Sequence, residues 1–111
     1  MRRFLILFNA PEPMSEFMLR STPEERKAGL EAWIKWKAEA DQTISFEFGA
    51  VIQAVQRIEQ KDLIGSTNTA TNYAFADAET KDDVINALQS HPHLKRTSAS
   101  IDVLEELSMP K

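Results

Sequence analysis

The chain has no cysteine among its 111 residues. Disulfides, thiolate metal sites and cysteine nucleophiles are therefore excluded. Glycine is scarce, confined to Gly29, Gly49 and Gly65, which leaves no glycine-rich loop to cradle a nucleotide phosphate. No serine stands in a nucleophile-elbow context. Basic residues are outnumbered 13 to 17, for a formal net charge of −4. Arg2-Arg3 and Lys95-Arg96 are isolated pairs rather than a phosphate-binding track, so nucleic acid is not an expected partner. Long apolar runs are missing too. Phe4-Leu5-Ile6-Leu7-Phe8 is five residues long, against the ~7–15 of a signal-peptide core and the ~20 of a membrane span. The expectation is a cytoplasmic protein with no membrane partner and no cofactor.

What is present is an ordinary globular composition, 42% hydrophobic and 27% charged. The length suits a single domain over residues 1–111, with no room for a second core. A domain this small leaves much of its surface exposed, and self-association is a natural way to cover an apolar sheet face.

Periodicity divides the chain. Phe4 to Phe8 is a continuous apolar run and reads as a strand buried on both faces, ended by Pro11 and Pro13. Met14, Phe17 and Met18 have helical spacing, predicting a short helix over 13–19. Thr22-Pro23-Glu24-Glu25 is a helix start, with a capping threonine, proline at the first position and a glutamate placed to bond back. Leu30, Trp33, Ile34 and Lys37 continue one face, which Trp36 and Ala40 widen, and the helix is expected to reach Asp41. Ile44, Phe46 and Phe48 alternate as a strand does, and Gly49 marks a bulge or bend. Residues 54–58 and 61–64 are a candidate hairpin, and Gly65 to Thr69 a turn. Asn72 to Asp77 reads as a strand with Tyr73 and Phe75 on one face and Ala74 and Ala76 on the other. Thr80 caps a second helix, with Asp83 in the capping-box position and Val84, Ile85 and Leu88 inward. Pro92 stops it, and a last strand runs from Ser98 to Leu107 with Ile101 and Val103 toward the core. The resulting β-α-β-β-α-β order predicts a ferredoxin-like α+β sandwich. Its helices cover one face of an antiparallel sheet, leaving the other for a second copy.

The run Phe4 to Phe8 into Asn9, the Thr22 to Glu25 start with Trp33, Gly49-Ala50, Ser90-His91-Pro92-His93-Leu94 and Ala99 to Val103 together resemble the YCII-related family of dimeric α/β-barrel proteins. The resemblance extends over nearly the whole chain. It implies two ferredoxin-like subunits packed sheet to sheet with a cleft beside each sheet. Some members are lyases acting on chlorinated aromatic intermediates through a histidine–aspartate pair. Many relatives carry Asp-Gly-Pro-Phe entering the third strand, where this chain has Gly65-Ser66-Thr67-Asn68. The enzymatic reading does not carry over through that motif.

His91 and His93 are the candidate catalytic residues, since an imidazole can act as general base near neutral pH. As metal ligands they lack a third donor at recognisable spacing, so no metal site is expected. The bland alternative is a helix-ending loop in which histidine favours the negative end of the helix dipole. Asn9, Trp36 and Tyr73 are candidate ligand-binding residues. Trp33 is read as core, and Glu12 and Asp77 as solvent-exposed or turn residues. Three functional readings follow: a homodimer with a small-molecule cleft near Asn9, Tyr73 and His91, an acid–base lyase or isomerase using His91 or His93, and an interaction domain without a site.

Overall fold

The computed structural model describes residues 1–110. Strand β1 (Arg2–Asn9) is followed by helices α1 (Met14–Arg20) and α2 (Pro23–Ala40), and then by strand β2 (Ser45–Val51). Next come a two-stranded hairpin, β3 (Arg57–Ile58) with β4 (Leu63–Ile64), strand β5 (Ala70–Ala78) and helix α3 (Lys81–Leu88). A 3₁₀ turn (Pro92–Lys95) leads to strand β6 (Ser100–Glu105). The main sheet has the order β2-β5-β1-β6 with every pairing antiparallel. The α+β architecture is compatible with a ferredoxin-like arrangement.

Alternation along the strands decides what is covered. Phe4, Ile6 and Phe8 of β1 and Ala74, Ala76 and Ala78 of β5 are all buried, facing the helices. They pack with Trp36, Ala40, Ile44, Phe46, Val84 and Leu88 in one core. The small alanines in β5 leave room for the large rings opposite, as close packing requires. β1 is not buried on both faces in the single chain. Leu5 and Leu7 are half-buried on the opposite face, where Leu5 stands between Phe75 and Leu104 and Leu7 stands beside Tyr73. The molecule is accordingly a slab with extents of 49 × 40 × 20 Å, one helix layer on one sheet. Its radius of gyration of 15.6 Å exceeds the ~13 Å of a compact domain of about 100 residues.

Local signals hold where their partners are a few residues away. Thr22 Oγ1 accepts from the Glu25 N–H at 3.1 Å and the Glu25 carboxylate accepts from the Thr22 N–H at 3.3 Å, satisfying two donors that the helix start would otherwise leave open. Thr22→Ala is expected to lower stability by about 1 kcal/mol, measurable by urea denaturation; an unchanged midpoint would mean that water replaces the cap at no cost. Thr80 caps α3 by accepting from the Asp83 N–H. Gly49 lies in a register shift between Phe48 and Val51, the expected bulge.

Other expectations are corrected. Leu30 and Ile34 are 61% and 54% exposed, because the buried residues of α2, Trp36 and Ala40, lie in its C-terminal half. Ile85 is also exposed, while Val84 and Leu88 are buried. β6 begins at Ser100 rather than Ser98, whose φ of 62° is left-handed and cannot extend a strand.

Candidate functional site

The histidine-bearing segment follows α3. Gln89 closes the helix, and Pro92 then opens the 3₁₀ turn, its ring filling a position that needs no N–H. Both imidazoles turn inward: His91 is 1% and His93 3% exposed. The His93 backbone N–H donates to His91 Nδ1 at 3.0 Å. The single proton of the neutral His91 ring therefore sits on Nε2. His93 Nε2 lies 2.7 Å from the Asn9 carbonyl oxygen, which can only accept, so this nitrogen also carries its proton. The pair forms a short relay that ties the turn to the end of β1.

His91 Nε2 is buried and has no hydrogen-bond partner among the described residues. Aromatic rings surround the imidazole instead, with centroids of Trp33, Trp36 and Phe8 at 4.3, 4.4 and 4.9 Å. Trp33 stands perpendicular to it, and such edge-to-face packing partly compensates a donor without an oxygen partner. Burial, reinforced by the neighbouring His93, pushes the His91 pKa down to about 3. His93 is also lowered, by burial first and by Arg96, against the raising effect of the Asn9 and Ser100 backbone. At neutral pH His91 has no free lone pair to serve as a base. Its arrangement is that of a core residue.

Of the other candidates, Trp36 and the Asn9 backbone meet the histidines, but Tyr73 does not. Tyr73 lies on the face opposite the helices, next to Leu7, so the sheet separates it from His91. The Asn9 side chain bonds Asp102 Oδ2 at 2.9 Å, while its carbonyl holds His93. A single cleft joining Asn9, Tyr73 and His91 is therefore not formed within the chain. Trp33 packs against the core as expected, but Trp36 is core as well rather than a ligand-binding residue. Trp36 is buried and donates from Nε1 to the Ala87 carbonyl at 3.0 Å, whereas Trp33 is only partly buried. Donation to α3 draws Trp36 into the core.

A cavity of about 260 Å³ opens elsewhere, at the ends of β1 and β5, walled by residues 10–13, 53–54 and 66–71. Glu12, read from the sequence as solvent-exposed, forms part of its wall. The Glu12 carboxylate is held by Arg20 and by Arg96, the latter at 3.3 Å. Its pKa is lowered, foremost by hydrogen bonding to Arg20. Both guanidiniums also lie over the Phe17 ring, at 5.2 and 4.8 Å, which places α1 as the support of this cluster. Gln53 and Ser66 to Thr69 complete the wall from the two roots of the hairpin. The sequence signals nearest to it were the polar Glu12 after the end of β1 and the short helix over 13–19, which could cover a pocket mouth. A second cavity of about 200 Å³ lies between α3 and β6, with Ile85, Leu94 and Val103 in its largely apolar wall. Neither histidine, nor Asn9, Trp36 or Tyr73, borders either cavity.

Among the described residues no group of three His, Asp or Glu side chains could hold a metal ion, and no helix is long and apolar enough to cross a membrane. No known protein family, curated protein or solved structure matches the chain.

Proposed function

We propose that the chain is a homodimeric, cytoplasmic small-molecule-binding protein of the YCII-related, dimeric α/β-barrel type, with its ligand site at the strand-end cavity rather than at the histidines. The cavity of about 260 Å³ with its mixed wall of proline, alanine, hydroxyl and amide groups carries the reading. Ligand sites combine an apolar lining with a few polar groups that fix orientation. The histidines serve the same site indirectly, by tying the end of β1 to the turn that bears Arg96.

Dimerisation is supported by the second sheet face. Leu5, Leu7, Tyr73, Phe75 and Leu104 lie side by side there without a helix layer, and Arg3 pairs with Asp77 at its margin. An apolar centre with a charged rim is the anatomy of a protein interface, and a second copy offers a self-complementary surface. Light scattering at micromolar concentration is expected to give twice the 12.6 kDa chain mass, and Leu5→Lys is expected to restore the single-chain mass. A wild-type protein of single-chain mass would overturn the dimer.

For the cavity, a thermal-shift screen of small acids and aromatic metabolites is expected to raise the melting temperature for at least one compound. Thr67→Trp, which fills the cavity from an exposed turn, should abolish that rise. A flat response, or a rise undiminished in the Trp variant, would overturn the assignment of the site.

A further inference from the structure

Hydrogen-bonding capacity at the cavity wall is unevenly spent. The Gln53 side-chain oxygen accepts from the Ser15 N–H at 3.3 Å. The Asn68 side-chain oxygen accepts from the Ala70 N–H at 2.8 Å, and Ser66 Oγ accepts from the Asn68 N–H at 3.2 Å. Each of these groups has therefore committed an acceptor to the backbone and retains its protons: two on each amide nitrogen and one on the hydroxyl. The Glu12 carboxylate is engaged as well, by Arg20 and Arg96. What these three side chains have left to offer is donors. The one charged residue of the wall, Glu12, is offset by Arg20 and Arg96, which stand behind it rather than in the wall.

From this we infer that the cavity takes a small carboxylate, held by the amide donors of Gln53 and Asn68 and the hydroxyl of Ser66, with Arg20 and Arg96 offsetting the charge of Glu12. The inference rests on the ligand-site reading above and names its chemistry. An acceptor-only ligand matches these donors, and charge-assisted hydrogen bonds are about twice as strong as neutral ones. A neutral amide or alcohol makes no charge-assisted bond to these three side chains and so binds them more weakly. The volume of about 260 Å³ lies under the roughly 300–1,000 Å³ of sites for drug-sized molecules, so the acid is small. Inorganic phosphate shares the acceptor chemistry but brings more charge than the cluster offsets.

The test is a titration of isotope-labelled full-length protein followed by backbone amide NMR. The probes are acetate, propionate and pyruvate, the matching neutral acetamide and propionamide, and inorganic phosphate at equal ionic strength. The acids are expected to shift residues 10–13, 53–54 and 66–71 saturably, with the neutral amides at least tenfold weaker. Asn68→Asp and Gln53→Glu each keep the oxygen that the backbone uses but lose the free donors and add a negative charge. Either is expected to weaken acid binding at least tenfold while the remaining spectrum keeps its dispersion. Should the neutral amides or phosphate bind these residues as tightly as the acids, the cavity would stand as a ligand site and the carboxylate assignment would fall. Should acid binding survive both substitutions undiminished, the assignment of these donors would fall. If none of the probes moves these residues, the carboxylate inference falls with no bearing on the thermal-shift result for larger compounds.

Discussion

Acidification from pH 7 to pH 4 is expected to cost the folded protein roughly 3 kcal/mol through His91 alone. The cause is its burial between Phe8, Trp33 and Trp36, which holds the folded-state pKa near 3, against an unfolded value of about 6.5. A base whose folded pKa is depressed binds protons more readily in the unfolded chain. Its contribution is thus fully present above pH 6.5, declines as the pH falls, and is exhausted near pH 3. At about 1.36 kcal/mol per pKa unit the full loss is about 5 kcal/mol, a large share of the ~5–15 kcal/mol stability of a typical domain. His93, shifted in the same direction, adds to it. Denaturant midpoints at a series of pH values measure the effect against His91→Gln, which retains an acceptor for the His93 N–H but cannot titrate. Between pH 6 and 4 the wild type is expected to lose stability more steeply than the variant by about one proton's worth of slope. Parallel curves would show that His91 does not titrate with folding.

Gly49→Val is expected to cost about 3 kcal/mol, the upper part of the range for overpacked positions. A Cβ at this position would stand 2.2 Å from Tyr73 Cε2 and 2.7 Å from the Tyr73 carbonyl oxygen. The ring can swing away at the expense of its packing on the sheet, but the carbonyl belongs to the neighbouring β5 backbone and cannot. Gly49 is required for this close approach, and the aromatic ring covers the surface that a missing side chain leaves bare. Thermal denaturation of Gly49→Val, Tyr73→Ala and the double variant separates the two contacts. The double variant is expected to recover part of the loss, because the backbone clash persists. Full recovery would assign the whole cost to the ring, and no loss in the single variant would mean that edge strand β2 shifts freely.

Much of the local architecture was legible in the residue order. The Thr22 capping box, the opposed faces of Tyr73 and Ala74 and the bulge at Gly49 all depend on neighbours within a few positions. Their partners are close in the chain, so the spacing carries the information. The small hairpin was also foreseen, although its ladder is only Arg57–Ile58 against Leu63–Ile64. The expected inward face of α2 was misjudged at Leu30 and Ile34. Periodicity states which residues share a face, but not how far the helix runs along the sheet.

The absence of cysteine was decisive on its own in excluding disulfides and thiolate chemistry, because composition needs no geometry. The direction of the two imidazoles was not of that kind. His93 meets Asn9 across 84 positions, and the Ser90–Arg96 segment has no periodicity that would orient either ring. The same holds for Glu12, whose tie to Arg96 also spans 84 positions and turns an apparently solvated residue into part of a cavity wall. Sequence determined the elements through local spacing; tertiary structure alone decided that the histidines belong to the core and that the open donors gather at the hairpin roots, since both follow from strand pairing between distant parts of the chain.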